Sequence, residues 1–121
     1  MKNGNLEIFL DSKWYQDATI FLDGYIYWLD GTVTDQGICE LVVKRYRAVN
    51  EDDLYFHPLM NKKTNDYIDY SETSIQAESM ESLKKKFFET PLFDGRTFWS
   101  VEDKLVWLDE DRPIYVDENE V

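Results

Sequence analysis

Any catalytic chemistry in this sequence would have to be built from very few residues. Serine or cysteine nucleophiles need a base beside them, and the only histidine is His57. It stands before Pro58 at the end of a β-prone run with no motif around it, which reads as a structural or surface position. The only cysteine, Cys39, adjoins the β-branched run Leu41-Val42-Val43 and reads as a small buried hydrophobe. One cysteine also excludes an intrachain disulfide and a cysteine-rich zinc site. The five glycines never form GxGxxG or a Walker loop, so no phosphate cradle is encoded. The acid-dense stretch from Asp109 to Glu120 fails the EF-hand pattern, with Ile114 where the sixth position needs glycine. The expectation is a protein that is not an enzyme and holds no cofactor and no metal.

Carboxylates are abundant, so a chance acid/base pair carries no weight, and their grouping matters more. Three clusters stand out: Glu51, Asp52 and Asp53; Asp66 with Asp69 and Glu72; and Asp109, Glu110 and Asp111 opening the C-terminal run. The plain reading of any one is a solvated loop or a solubilising tail. The middle cluster differs because it interleaves acids with Tyr67 and Tyr70. Tyrosine beside carboxylate is what a binder of an arginine-rich groove presents: the acid replaces a phosphate and the ring stacks where a base would.

The charge balance supports that direction. With 25 acidic and 13 basic residues, a formal net charge of −12 and a pI near 4.3, the chain would be repelled by nucleic-acid phosphates and attracted to a basic partner. Spread over a folded surface of roughly 7,000 Å², that charge places only about one or two units in a standard interface patch of roughly 800 Å². Acidity becomes specific only if it is clustered. Hydrophobic residues at 43% and aromatics at 16% are too many for a disordered acidic chain, and 121 residues suit one domain, with 109–121 a loosely ordered acidic tail. The first residues, with one lysine and the short run Leu6 to Leu10, read as neither a signal peptide nor a membrane span, so a cytoplasmic protein is expected.

The element that must position these residues is the run Thr19 to Trp28, two β-prone halves around Asp23-Gly24. Asp-Gly favours a two-residue type I′ hairpin loop, which sets Leu22 opposite Tyr25, Phe21 opposite Ile26, Ile20 opposite Tyr27 and Thr19 opposite Trp28. Both faces of such a hairpin are apolar. The face carrying Phe21, Ile26 and Trp28 is therefore a candidate apolar contact surface, because helices can cover only one side. Asp17 and Asp30 face one another beyond Thr19 and Trp28, where like charges should fray the pair.

Further along, Leu6 to Leu10 reads as a short strand, and Ile38 to Val49 as a long one, buried early and solvated late, with a basic end at Lys44, Arg45 and Arg47. Leu54 to Phe56 reads as a strand stopped by Pro58, and 67–70 and 74–77 as short strands. Ser79 as N-cap with Met80, Leu83 and Phe87 at helical spacing predicts a helix over 80–89, ended by Pro91. Phe98, Val101, Leu105 and Leu108 form a helical stripe over 97–108. The competing reading is a strand pair turning at Glu102-Asp103. Ile114 to Val116 suits an edge strand. Strands followed by helices predict a single-domain α+β fold, an antiparallel sheet of about five to seven short strands around the hairpin at 19–28, followed by two C-terminal helices on one sheet face.

In size, acidity, α+β organisation and lack of catalytic motifs the chain is similar in character to toxin-immunity proteins as a class. That likeness implies a small inhibitor whose partner is a basic protein, a nuclease toxin domain, with its substrate groove occluded and no direct contact to nucleic acid or membrane. The alternatives are a phage-encoded nucleic-acid mimic that inhibits a host defence protein, and a small-ligand or glycan-binding module using an aromatic sheet face.

Overall fold

The structure is a computed structural model and describes residues 5–6, 17–51, 55–107 and 112–117. Strands β1 (Ala18–Leu22) and β2 (Tyr25–Val33) form the hairpin in the register the Asp-Gly turn dictates, with Leu22 opposite Tyr25 and Thr19 opposite Trp28. Asp23 and Gly24 both carry positive φ, 49° and 86°, as a type I′ turn requires. The 13-residue β3 (Cys39–Glu51) pairs along β2 from Cys39 to Arg47. Its other edge is shared by two strands in succession. β5 (Ser71–Ala77) covers Cys39 to Arg45, and β4 (Tyr55–Asn61) covers Ala48 to Glu51. Between them Arg47 N–H donates to the Ile68 carbonyl, so the loop joining β4 to β5 closes the gap. The short β6 (Val106–Trp107) extends the sheet beyond β1, and β7 (Ile114–Val116) runs parallel to β4, giving seven strands in a mostly antiparallel α+β unit.

The predicted helix is present as α1 (Met80–Glu89), its Ser79 hydroxyl accepting from Ser82 N–H and Thr90 ending it. The predicted stripe resolves over 98–107 into halves of both readings, and its last member, Leu108, lies outside the described residues. α2 (Phe98–Val101) is a single turn, extended by a 3₁₀ turn over Glu102–Lys104, and the chain then becomes extended at Leu105. Phe98, Val101 and Leu105 are buried as a helix stripe would bury them, but Val106 and Trp107 are drawn out to pair with Phe21 and Ile20 on the open edge of β1. An unpaired edge competes with helix continuation, and here it wins.

Three other expectations are corrected. Pro58 does not stop its strand. Ala48, opposite it, sends its N–H to Gly24 on the β2 side, so Ala48 and Pro58 form a non-hydrogen-bonded pair in which proline's missing donor costs nothing. Residues 67–70 are not a strand, because Asp69 sits at φ 53° and only Tyr67 makes a bridge, to Met60. Burial along β3 persists through Tyr46 and Ala48 and fades only at Val49 and Asn50, later than expected. Of the Leu6 to Leu10 run only Leu6 is described, with helical backbone and full burial; the rest lies outside the described residues.

The main core lies between the sheet face of Ala18, Ile20, Leu22, Tyr27, Leu29, Leu41 and Val43 and the side chains Leu83, Phe87, Phe93, Phe98, Val101 and Leu105. Both helices thus cover one face. A second Asp-Gly turn, Asp94-Gly95 at φ 57° and 77°, aims Phe93 into this core and is tied to the first: Arg96 pairs with Asp23 at 3.2 Å and Arg45 with Asp94 at 3.7 Å. Arg45 also lies 3.5 Å over the Tyr25 ring and donates from Nε to the Tyr27 hydroxyl at 3.2 Å. These arginines serve as internal counter-charges.

Candidate functional site

The sheet face opposite the helices carries the chemistry. Alternation and register place Asp17, Thr19 and Phe21 of the first strand, Ile26, Trp28, Asp30 and Thr32 of β2, Glu40, Val42, Lys44, Tyr46 and Ala48 of β3, and Glu72, Ser74 and Gln76 of β5 on this side. At one end a second, smaller core buries Ile26, Tyr46 and Ala48 under the partly exposed Phe21, Trp28 and Tyr67. Phe21 meets Phe56 of β4 at 4.8 Å, and Tyr67 stacks on Tyr46 at 4.1 Å with 20° between the rings. The loop between β4 and β5 is therefore the cover that half of this face receives. Ile26 is fully buried beneath it and offers no surface, while Trp28 stays partly open.

The other half of the face is uncovered among the described residues. Where it meets the loop, a cleft of about 500 Å³ is lined by Trp28, Lys44, Met60, Asn65, Asp66, Tyr67 and Tyr70. Two sequence candidates that were separate along the chain, the tyrosine-and-acid segment and the hairpin's outer face, converge here. Tyr70 lies parallel to Tyr67, centroids 6.1 Å apart and 16° between planes, so Tyr46, Tyr67 and Tyr70 form a run of near-parallel rings. Lys44 Nζ stands 4.4 Å over the Trp28 ring, within cation–π range.

The walls are held in place by hydrogen bonds. Trp28 Nε1 donates to Asp17 at 2.6 Å, which turns the acid expected to fray the hairpin into an anchor for the indole. The Tyr70 hydroxyl donates to Glu72 Oε2 at 2.7 Å, and that bond to a carboxylate pushes its phenol up to about 12. In the loop, Asn61 Oδ1 accepts from Lys63 N–H at 2.8 Å, Asn61 O accepts from Asn65 N–H at 2.9 Å, and Asn65 takes the left-handed backbone at φ 63°. Such a wall is organised before any ligand arrives, which removes ordering cost from binding.

The acids are distributed unevenly. Asp17, Asp30, Glu40 and Glu72 share this face and Asp66 lines the cleft on it, while Lys44 is the one cation that the described residues of β1, β2, β3 and β5 point to it. Lys62 and Lys63 are exposed in the adjoining loop and do not line the cleft. Asp69 belongs elsewhere, 3.9 Å from Arg47. The backbone of Glu51 ends β3 opposite Tyr55, whereas Asp52, Asp53, Asp109, Glu110 and Asp111 lie outside the described residues. Sequence reasoning left out Lys44, Met60, Asn65 and Glu40. The β2–β3 register, which puts Lys44 opposite Trp28, was the signal that would have found the first of them.

Among the described residues no group of acids, histidine or cysteine is arranged to hold a metal ion, and no helix is long and apolar enough to cross a membrane. His57 Nδ1 is hydrogen-bonded to the Arg112 carbonyl at 2.8 Å, joining the β4 and β7 segments, and Cys39 is buried in the main core. The chain matches no protein-family model, no curated protein and no solved structure.

Proposed function

We propose that this chain is a small acidic binding protein that neutralises a basic protein partner, as an immunity protein does when it blocks the substrate groove of a bacterial nuclease toxin. The observation that carries this reading is the uncovered half-face, where Trp28, Tyr67 and Tyr70 share one side of the sheet with five carboxylates. Aromatic anchors at the centre of a patch supply most of an interface's affinity, and the surrounding charge supplies its encounter rate. A formal charge of −12 adds long-range attraction to a basic groove. A nucleic-acid mimic is served less well, because Lys44 interrupts the negative face at its centre.

One feature favours a second reading: a cleft with aromatic walls and the amide of Asn65 also suits a sugar or another small ligand. Capture from the native host, with wild-type protein and a Trp28→Ala/Tyr70→Ala double variant in parallel, separates the two. The expected result is a basic nuclease retained by wild type, inhibited at one-to-one stoichiometry and lost by the variant. Its association rate should fall about tenfold or more between low and high salt while dissociation changes little. A salt-independent association rate, or an uninhibited partner, refutes the proposal.

A further inference from the structure

We infer that the cleft between Trp28 and Tyr70 receives an arginine side chain of the basic partner, and that Lys44 occupies it in the free protein as an internal stand-in. The inference rests on the binding reading above and adds which group of the partner the site recognises. The cleft already holds a cation: the Lys44 ammonium sits 4.4 Å over the indole face. The cleft, about 500 Å³, admits a larger group once the ammonium yields the indole face.

Shape and donors favour guanidinium over a further ammonium. Trp28, Tyr67 and Tyr70 line the cleft with flat aromatic surface, so a planar cation can stack where a compact one gains less. Asp66, which lines the cleft, supplies a carboxylate able to accept a forked pair of hydrogen bonds. Hydrogen bonds to Glu72 and Asp17 hold Tyr70 and Trp28, so the walls need not reorganise. When the incoming guanidinium takes the indole face, Lys44 has a destination, because Glu72 is its directly opposed neighbour on β5.

The test uses argininamide as probe and citrullinamide as its uncharged isostere, followed by the Trp28 indole N–H cross-peak in ¹H–¹⁵N NMR spectra, assigned with W28F. Argininamide should shift that peak saturably and citrullinamide should leave it unmoved. Lys44→Met, which removes both the competitor and a like charge, should strengthen argininamide binding about threefold to fivefold. Asp66→Asn should weaken it by about tenfold. Equal responses to the two amides overturn the inference, as does K44M binding no better than wild type. A saturable shift with a neutral oligosaccharide instead assigns the cleft to a glycan and overturns it too. If a basic nuclease is captured and inhibited while argininamide leaves Trp28 untouched, the binding function stands and this inference fails. An argininamide response without any basic partner supports the cleft and removes the proposed function.

Discussion

Tyr67 and Tyr70 are neighbours in one stack, yet the structure gives them different work, and alanine variants should separate them. Tyr67 is half-buried, lies 4.1 Å from Tyr46 and covers Ile26 and Ala48. Truncating a fully buried aromatic costs about 3–5 kcal/mol, so half of that burial is worth about 2 kcal/mol, stacking with Tyr46 included. The loop backbone would persist, because Ile68 keeps its bonds from Arg47 N–H and to the Leu59 carbonyl. For a chain of 121 residues, 2 kcal/mol corresponds to a fall in Tm of about 8 °C. Tyr70 is 45% exposed, and its hydrogen bond to Glu72 is at the surface, so Tyr70→Ala should cost about 0.5 kcal/mol or less. Urea unfolding followed by far-UV circular dichroism measures both, with unchanged m-values showing that the unfolding transition exposes the same surface. Partner binding should be lost in Tyr70→Ala at nearly full stability. Equal stability losses in the two variants, or a Tyr67→Ala loss below about 0.5 kcal/mol, would refute the assignment of Tyr67 as the cover of the second core.

Two further outcomes follow from the backbone and from titration. Gly24→Ala places a side chain at φ 86° with nothing within 4 Å of its Cβ, so only backbone strain acts, and a loss of about 1 kcal/mol is expected in the same urea assay; a neutral substitution would contradict the type I′ turn. Near-ultraviolet titration of wild type minus Tyr70→Phe should reveal a phenol ionising near pH 12, raised from the ordinary 10.0. Because the folded-state value is the higher one, this hydrogen bond's contribution to stability is complete below about pH 10 and lost as pH rises through about 12. A difference spectrum centred near pH 10 would show that Tyr70 does not donate to Glu72 in solution.

Features that depend on near neighbours in the chain were readable from the residues alone. Asp23-Gly24 set the hairpin register, since only that turn offers two positive-φ positions at low cost, and every predicted cross-strand pair from Leu22–Tyr25 to Thr19–Trp28 is present. Ser79, the 3.6-residue spacing of Leu83 and Phe87, and Pro91 bounded the first helix for the same reason. The sequence also showed that one apolar hairpin face would lack a helix. What meets that face became visible only in three dimensions, because it depends on pairings between residues far apart: β4 and β5 dividing one edge of β3, and Tyr67 carried over Tyr46 by the loop between them. The fate of 98–107 was decided the same way, its helical stripe cut short by the open edge of β1. The candidate site lies where these long-range choices meet. Trp28, Lys44 and Asp66 are scattered in sequence and become one cleft through strand register, which is fixed by burial across the whole sheet and not by any local motif.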